Sequence, residues 1–311
     1  MTLTQLEYIA ALDSHRHFVL ASEKCFVTQP TLSMQVQKLE EELGIKIFDR
    51  TKQPVIPTEI GAGIIAQARI ILREAKMIQQ IIDDQKDIMT GELRIGIIPT
   101  LAPYLLPPLF KHMREKYPQL NLIIRETITQ EVIHELKNNR LDCGLVVTPL
   151  RDSSIKEDVL FYEELFVYVS KKNSLYDKKY VLATEINPDQ LWLLEEGHCF
   201  RSQVLNLCEL RKRSDFNFKY ETGNIETLKR MVDKSDGITI LPELAVIEFT
   251  KPQLKFVKRL KEPSPAREVS LVTHRDHIKA KLIKTLKEEI LNIVPKEMQK
   301  LRNKKVVEIN Y

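Results

Sequence analysis

The sequence predicts an α/β protein in three parts: an N-terminal winged helix-turn-helix, a long linker helix, and a C-terminal two thirds of alternating strands and helices. Three observations predict it. Residues 3–13 and 18–25 read as short helices, followed by a third from Thr28 to Gly44. Ile64, Ala68, Ile71, Ala75, Ile78 and Ile82 then recur in alternating steps of four and three. From Leu93 onward, short apolar runs alternate with amphipathic stretches. The chain has 311 residues, room for two or three domains, and its 43% hydrophobic and 29% charged content excludes the disordered and membrane classes.

The first helix places Leu3, Leu6, Ile9 and Ala10 on one side. In the third, Thr28 is a good N-cap, Pro30 fits the first turn, and Leu32, Val36, Leu39 and Leu43 form one apolar stripe that Gly44 ends. Two short helices with a tight connection make a helix-turn-helix. The polar face of the second carries Gln29, Pro30, Thr31, Ser33, Met34, Gln35 and Lys38. Glutamine can read adenine edges, hydroxyls bind phosphates or bases, and Lys38 suits a phosphate. Ile45–Arg50 reads as β-like and 51–58 as a proline-bounded wing, with Arg50 and Lys52 as the cations for a DNA backbone. Charge does not decide the matter: acids and bases nearly balance over residues 1–57, and a net charge of +4 permits nucleic-acid binding without arguing for it. On pattern alone, a small helical domain with a solvated polar face stays open.

From Thr58 to about Lys86 the chain reads as one helix, and a helix this long with an apolar seam needs a partner. Self-pairing is the simplest choice and matches the half-site logic of helix-turn-helix proteins on double-stranded DNA. One core helix of a monomer is the alternative. Met89-Thr90-Gly91-Glu92 breaks the pattern as a hinge. Strands are expected at 93–98, 120–124, 143–147, 165–170, 191–194, 218–220, 237–242 and 269–272, and helices near 103–115, 129–139, 225–234 and 276–292. The lysine-rich tail from Lys296 reads as a solvated extension.

No basic-then-apolar leader opens the chain and no apolar run approaches a membrane span, so a cytoplasmic location, no membrane and reduced resting cysteines are expected. Cys25 and Cys143 fall at core positions and read as inert. No metal is expected, because no CxxC pair exists and His198-Cys199 are adjacent rather than at ligand spacing. No cofactor is expected either, since no glycine-rich phosphate loop occurs.

Cys199 and Cys208 stand nine positions apart, with Phe200, Val204 and Leu207 between them at helical spacing. Nine helical residues rise about 13–14 Å and turn about 900°, which leaves the thiols on opposite faces. A disulfide needs Cα atoms within about 7 Å. The pair could bond only if the segment melts, as in a redox switch. Two unrelated buried cysteines are the other reading.

Thr28-Gln29-Pro30-Thr31-Leu32-Ser33, Lys38-Leu39-Glu40, Leu43-Gly44, Phe48-Asp49-Arg50 and Thr58-Glu59-Ile60-Gly61 resemble the winged helix-turn-helix of LysR-type transcriptional regulators. That resemblance implies a DNA-binding domain over 1–58, a dimerisation helix over 59–88, and a two-lobed periplasmic-binding-protein-like regulatory domain over 89–311. Lobe I would span about 92–163 and 268–295, and lobe II about 164–267. Ile97–Pro107, Leu194-Glu195-Glu196-Gly197-His198-Cys199, Cys208, Glu226–Lys229 and Gly237–Pro242 further resemble the peroxide-sensing branch of the family, over all but the C-terminal tail. This implies a peroxide-responsive activator of antioxidant genes, not an enzyme. Cys199 would be the residue hydrogen peroxide oxidises and Cys208 its resolving partner, with Thr100, Thr129, His198 and Arg267 lining the pocket. A homotetramer built as a dimer of dimers, contact with RNA polymerase, and reduction by glutaredoxin or thioredoxin are implied as well. The chain departs from the pattern at Ser202, where relatives commonly have an acid, and around Pro263–Arg267. The alternatives are a LysR-type regulator of a small organic effector with incidental cysteines, and a thiol peroxidase, for which the DNA-binding and dimerising elements would be superfluous.

Overall fold

In the computed structural model, which describes residues 1–84, 89–208, 223–277 and 279–309, the chain divides into two units, Met1–Asp87 and Ile88–Tyr311. The first opens with α1 (Leu3–His15), started by a capping box: Thr2 Oγ1 accepts from the Gln5 amide at 3.2 Å, and Gln5 Oε1 accepts from the Thr2 amide at 2.9 Å. Next come α2 (Phe18–Lys24) and α3 (Gln29–Leu43). Thr28 caps α3 through the Thr31 amide, and Gly44 ends it at φ +68°, a left-handed conformation that glycine adopts without strain. Leu32, Val36 and Leu39 are buried, whereas Leu43 is exposed beside that cap.

The β-like stretch contracts to β1 (Phe48–Asp49), paired antiparallel with β2 (Ile56–Pro57) as the wing. Helix α4 (Glu59–Asp84) starts under it, where a Cβ on Gly61 would lie 2.0 Å from the Ile47 carbonyl oxygen. Only glycine permits that approach. The apolar seam of α4 is not free over its whole length. Ala68 is buried in the unit's own core, and Ile64 and Ile71 pack against that core beside Leu6, Ile9 and Leu12 of α1. Ala75 is half-buried and Ile78 is exposed, while the side chain of Ile82 lies outside the described residues. The first half of the stripe therefore closes a core of its own chain.

The second unit runs β3 (Gly91–Ile97), α5 (Ala102–Lys116), β4 (Leu120–Glu126), α6 (Thr129–Lys137), β5 (Cys143–Thr148), β6 (Ile155–Val169), β7 (Tyr180–Val181), α7 (Cys199–Leu207), α8 (Ile225–Lys234), β8 (Ile238–Pro242), α9 (Lys251–Leu254), β9 (Val257–Leu260), β10 (Ser264–His274), α10 (Ala280–Ile293) and β11 (Lys304–Val306). Strand order is β4-β3-β5-β10-β6-β9-β7, with β8 on β6 and β11 on β10. β3 is parallel to both neighbours, as expected of strands joined by helices. The long antiparallel strands β6 and β10 organise the unit. Ile155, Leu160 and Phe161 of β6 belong to a core with β3, β5, α5, α6 and α10, and Leu165 to Val169 to a second core with α8, β8 and β9. Between these halves, Glu163 pairs in register with Arg267.

Two expectations are corrected here. Residues 191–194 form no strand, only a bridge from Leu191 to Ile238, because Trp192 donates once to the Ile238 carbonyl (2.8 Å) and the pairing stops there. The tail is no solvated extension. β11 pairs parallel with the start of β10, Met298 and Ile309 are buried, and Lys304 Nζ donates to the Tyr162 carbonyl at 2.8 Å. Apolar residues interleaved with the lysines anchor it. The strand expected at 218–220 lies outside the described residues.

Candidate functional site

On the N-terminal unit, Gln29, Pro30, Met34, Lys38 and Lys52 are exposed, and Thr31 and Ser33 half-buried. Gln35 is turned partly inward, where its Oε1 accepts from Gln5 Nε2 at 3.3 Å. Arg50 donates to Ser33 Oγ (3.2 Å) and to Glu40 Oε2 (3.3 Å), and its guanidinium lies 5.2 Å from the Phe18 ring centroid. Glu40, part of the family motif but given no role from sequence, is buried on α3 and accepts from the amides of Ile47 (2.9 Å) and Phe48 (3.2 Å). It locks the base of the wing to the helix carrying the polar face.

In the second unit, a buried cysteine lies beside a threonine hydroxyl and within the field of a buried arginine. Cys199 is the first residue of α7 and is buried. Thr129, first residue of α6, directs its hydroxyl at Cys199 Sγ from 3.8 Å. Arg267, fully buried on β10, donates from Nη1 to Thr100 Oγ1 (2.7 Å) and from Nη2 to the Thr100 carbonyl (3.1 Å). Its Nε–H donates to the buried carboxylate of Glu163, which Nη2 also pairs with, and its cation lies 5.1 Å from the Phe200 ring centroid. Tyr104 of α5 closes the neighbourhood by donating to Glu226 of α8 at 2.8 Å.

Burial pushes the Cys199 thiol above its ordinary value, against the opposing pulls of Arg267 and the Thr129 hydroxyl. The resting group is thus a neutral thiol beside a cation that favours the thiolate. Burial likewise raises the Glu163 carboxyl, opposed by Arg267. Cys208 lies just past the end of α7, in the second core, while Cys199 packs in the first. Burial alone pushes Cys208 up to about 12. Both are free thiols, and the helix between them keeps them apart.

Residues 3–62 match the family model for the bacterial regulatory helix-turn-helix protein of the lysR family, and residues 87–293 match the LysR substrate binding domain. The chain belongs to the LysR family of transcriptional regulators. Among LysR-type relatives it is similar to the hydrogen peroxide-inducible genes activator of Haemophilus influenzae, with 36% identity over 88% of this chain and 90% of that one. It is also similar to the DNA-binding transcriptional dual regulator OxyR of Escherichia coli, with 34% identity over 88% and 89%. A full-length OxyR from Pseudomonas aeruginosa with a cysteine-to-aspartate substitution superposes with a TM-score of 0.80, at 34% identity, covering 94% of this chain and 98% of that chain. This LysR-type regulator is thus closely related to OxyR. Its fold is a helix-turn-helix domain followed by a mixed α/β substrate-binding domain, and no described helix is long and apolar enough to cross a membrane.

Of the pocket residues expected from sequence, the LysR-type fold brings Thr100 onto Arg267 and Thr129 onto Cys199. His198, expected beside Thr100 and Thr129, is buried, and its Nε2 lies 3.4 Å from Glu195 Oε1. Three features escaped the sequence: the Glu163–Arg267 pairing, the Tyr104–Glu226 bond, and the grip of the tail on α7. In the last, Gln203 Nε2 donates to the Val307 carbonyl (3.1 Å) and Asn206 Nδ2 to that of Glu308 (3.0 Å). A carboxylate amid an apolar strand was the one available signal for Glu163.

Proposed function

We propose that this LysR-type regulator is a peroxide-responsive transcriptional activator, switched by Cys199 and Cys208. The observation that carries the reading is a buried cysteine that starts a nine-residue helix, faces a buried arginine and a threonine hydroxyl, and has a second cysteine at the helix's far end. The similarity to hydrogen peroxide-inducible activators supports it. The Cys199 thiolate attacks one oxygen of hydrogen peroxide, the O–O bond breaks, and the displaced hydroxide takes a proton and leaves as water. The sulfur is now a sulfenic acid. Cys208, brought to it by melting of α7, attacks that sulfur to form the disulfide and release a second water. Two electrons and two protons from a dithiol of the glutaredoxin or thioredoxin class restore both thiols.

The domain over 1–58 would bind double-stranded DNA through the outward face of α3 and the wing, with Lys38 and Lys52 on phosphates. The helix over 59–88 would pair protomers beyond the half of its seam used at home, in a tetramer built as a dimer of dimers. Refolding of α7 in the domain over 89–311 would change the packing of that assembly, the spacing of the recognition helices, and contact with RNA polymerase. A cytoplasmic location belongs to the same reading.

Thiol trapping with mass mapping, before and after a stoichiometric dose of hydrogen peroxide, tests it. A rapid, dithiothreitol-reversible Cys199–Cys208 link, absent in Cys199→Ser, is expected. If Cys199 is oxidised no faster than Cys25 and Cys143, the reading fails and the regulatory domain should be screened for an organic effector.

A further inference from the structure

Glu163 is fully buried where β6 passes from one core to the other, in register with Arg267. Its two oxygens serve different elements. Oε1 takes the Arg267 Nε–H, and Oε2 accepts the Leu244 amide at 3.3 Å, from the 3-10 turn that follows β8. A buried guanidinium persists only where a counter-charge holds it. Here the counter-charge lies against Nε and Nη2 and leaves Nη1 to the Thr100 hydroxyl, while Nη2 also reaches the Thr100 carbonyl. A threonine hydroxyl that accepts still has its own proton to give. The donors therefore run in one direction, from Arg267 through Thr100.

We propose that Glu163 is the positioning residue of the Cys199 site: its carboxylate holds the Arg267 guanidinium on Thr100, which keeps the Thr100 proton available to the oxygen displaced when Cys199 is oxidised. This rests on the reading of Cys199 as the peroxide-reactive thiol. Glu163 touches neither sulfur nor peroxide and acts through Arg267. Through the Leu244 amide it also ties that arrangement to the turn that follows β8.

The test uses the full chain and two reagents on Cys199. Hydrogen peroxide needs both the thiolate and a donor for its leaving oxygen, whereas iodoacetamide, a small neutral alkylator, needs the thiolate without that donor. Both rates are followed across neutral pH for the wild type, Glu163→Gln and Glu163→Asp. Glu163→Gln is expected to lose roughly tenfold or more in peroxide rate. Its iodoacetamide rate should hold or rise, because the arginine charge is no longer offset. Glu163→Asp keeps the charge with a shorter reach and should recover part of the peroxide rate. Rates that fall together, or an unchanged ratio of the two, would overturn the proposal. If Glu163→Gln does not fold, Glu163→Asp decides: a reduced ratio supports the proposal and an unchanged one sinks it. A wild-type Cys199 no faster than Cys143 toward peroxide sinks the underlying reading and the proposal with it, whereas a fast wild type with unchanged ratios sinks the proposal alone.

Discussion

Cys143 and Cys199 lie in the same hydrophobic core, both buried, and burial raises both thiols. They differ in what faces the sulfur. Cys143 opens β5, a strand buried along its length, and the nearby Asp142 pushes its thiol further up, with only Lys279 opposing and, among the described residues, no hydroxyl acting on the sulfur. Cys199 starts a helix, and Arg267 and Thr129 pull the other way. Burial by itself makes a cysteine inert; a cation and a donor at the sulfur make the same burial compatible with chemistry.

The largest test of this contrast exchanges the cysteines one at a time. Cys199→Ser should abolish peroxide-dependent loss of titratable thiol, and Cys143→Ser should leave its rate unchanged, as read by stopped-flow thiol titration. Next in size is Arg267→Met, which removes the cation and strands a buried carboxylate. Cys199 should fall to the reactivity of Cys143, and urea unfolding should show a loss of about 3–5 kcal/mol. Adding Glu163→Leu should return most of the stability with none of the reactivity, since a buried ion pair is often replaceable by apolar side chains.

A third prediction concerns alkaline pH. Cys143, Cys199 and Cys208 all have raised folded values, Cys208 about 12. Thiols raised on folding contribute stability that is fully present below their unfolded value, about 8.5, and is lost as pH climbs toward the folded one. Unfolding free energy should therefore hold flat below that pH and decline above it. Cys208→Ala should flatten the decline, as measured by urea titrations at several pH values. The smallest effect concerns the tail. Gln203→Ala with Asn206→Ala removes its two hydrogen bonds to α7 and should weaken the helix by about 1 kcal/mol. Disulfide formation should then quicken about fivefold, which quenched mass mapping would resolve.

Local rules carried the sequence reading wherever structure is local. Thr28 and Gly44 bound α3 because capping needs only neighbouring residues, and α7 ends at Leu207 as the spacing of Phe200, Val204 and Leu207 implies. The lobe bounds fall at Glu163 and Arg267, but their pairing was not legible, for the opposite reason: only the β6–β10 register places one across from the other. Periodicity in α4 shows that a stripe is buried without showing against what, and Ala68 is buried against its own chain. The tail was misjudged because lysines dominate its composition while Met298, Val306 and Ile309 decide its place. Its parallel pairing with β10 covers three residues, too few to leave a periodic signature.

Helix α7 is stitched into the second core by Phe200 and Val204, while the sulfur at its head packs in the first. Joining the two sulfurs means pulling those side chains into water, at about 1.5–3 kcal/mol each. All of that is returned when the thiols are restored. At about 30 mV per 1.4 kcal/mol, it makes the oxidised state easier to reduce by something on the order of a hundred millivolts. Under the proposed switch the fold would give the molecule a short memory: the packing of two apolar side chains would help erase the record of an oxidant once the oxidant is gone.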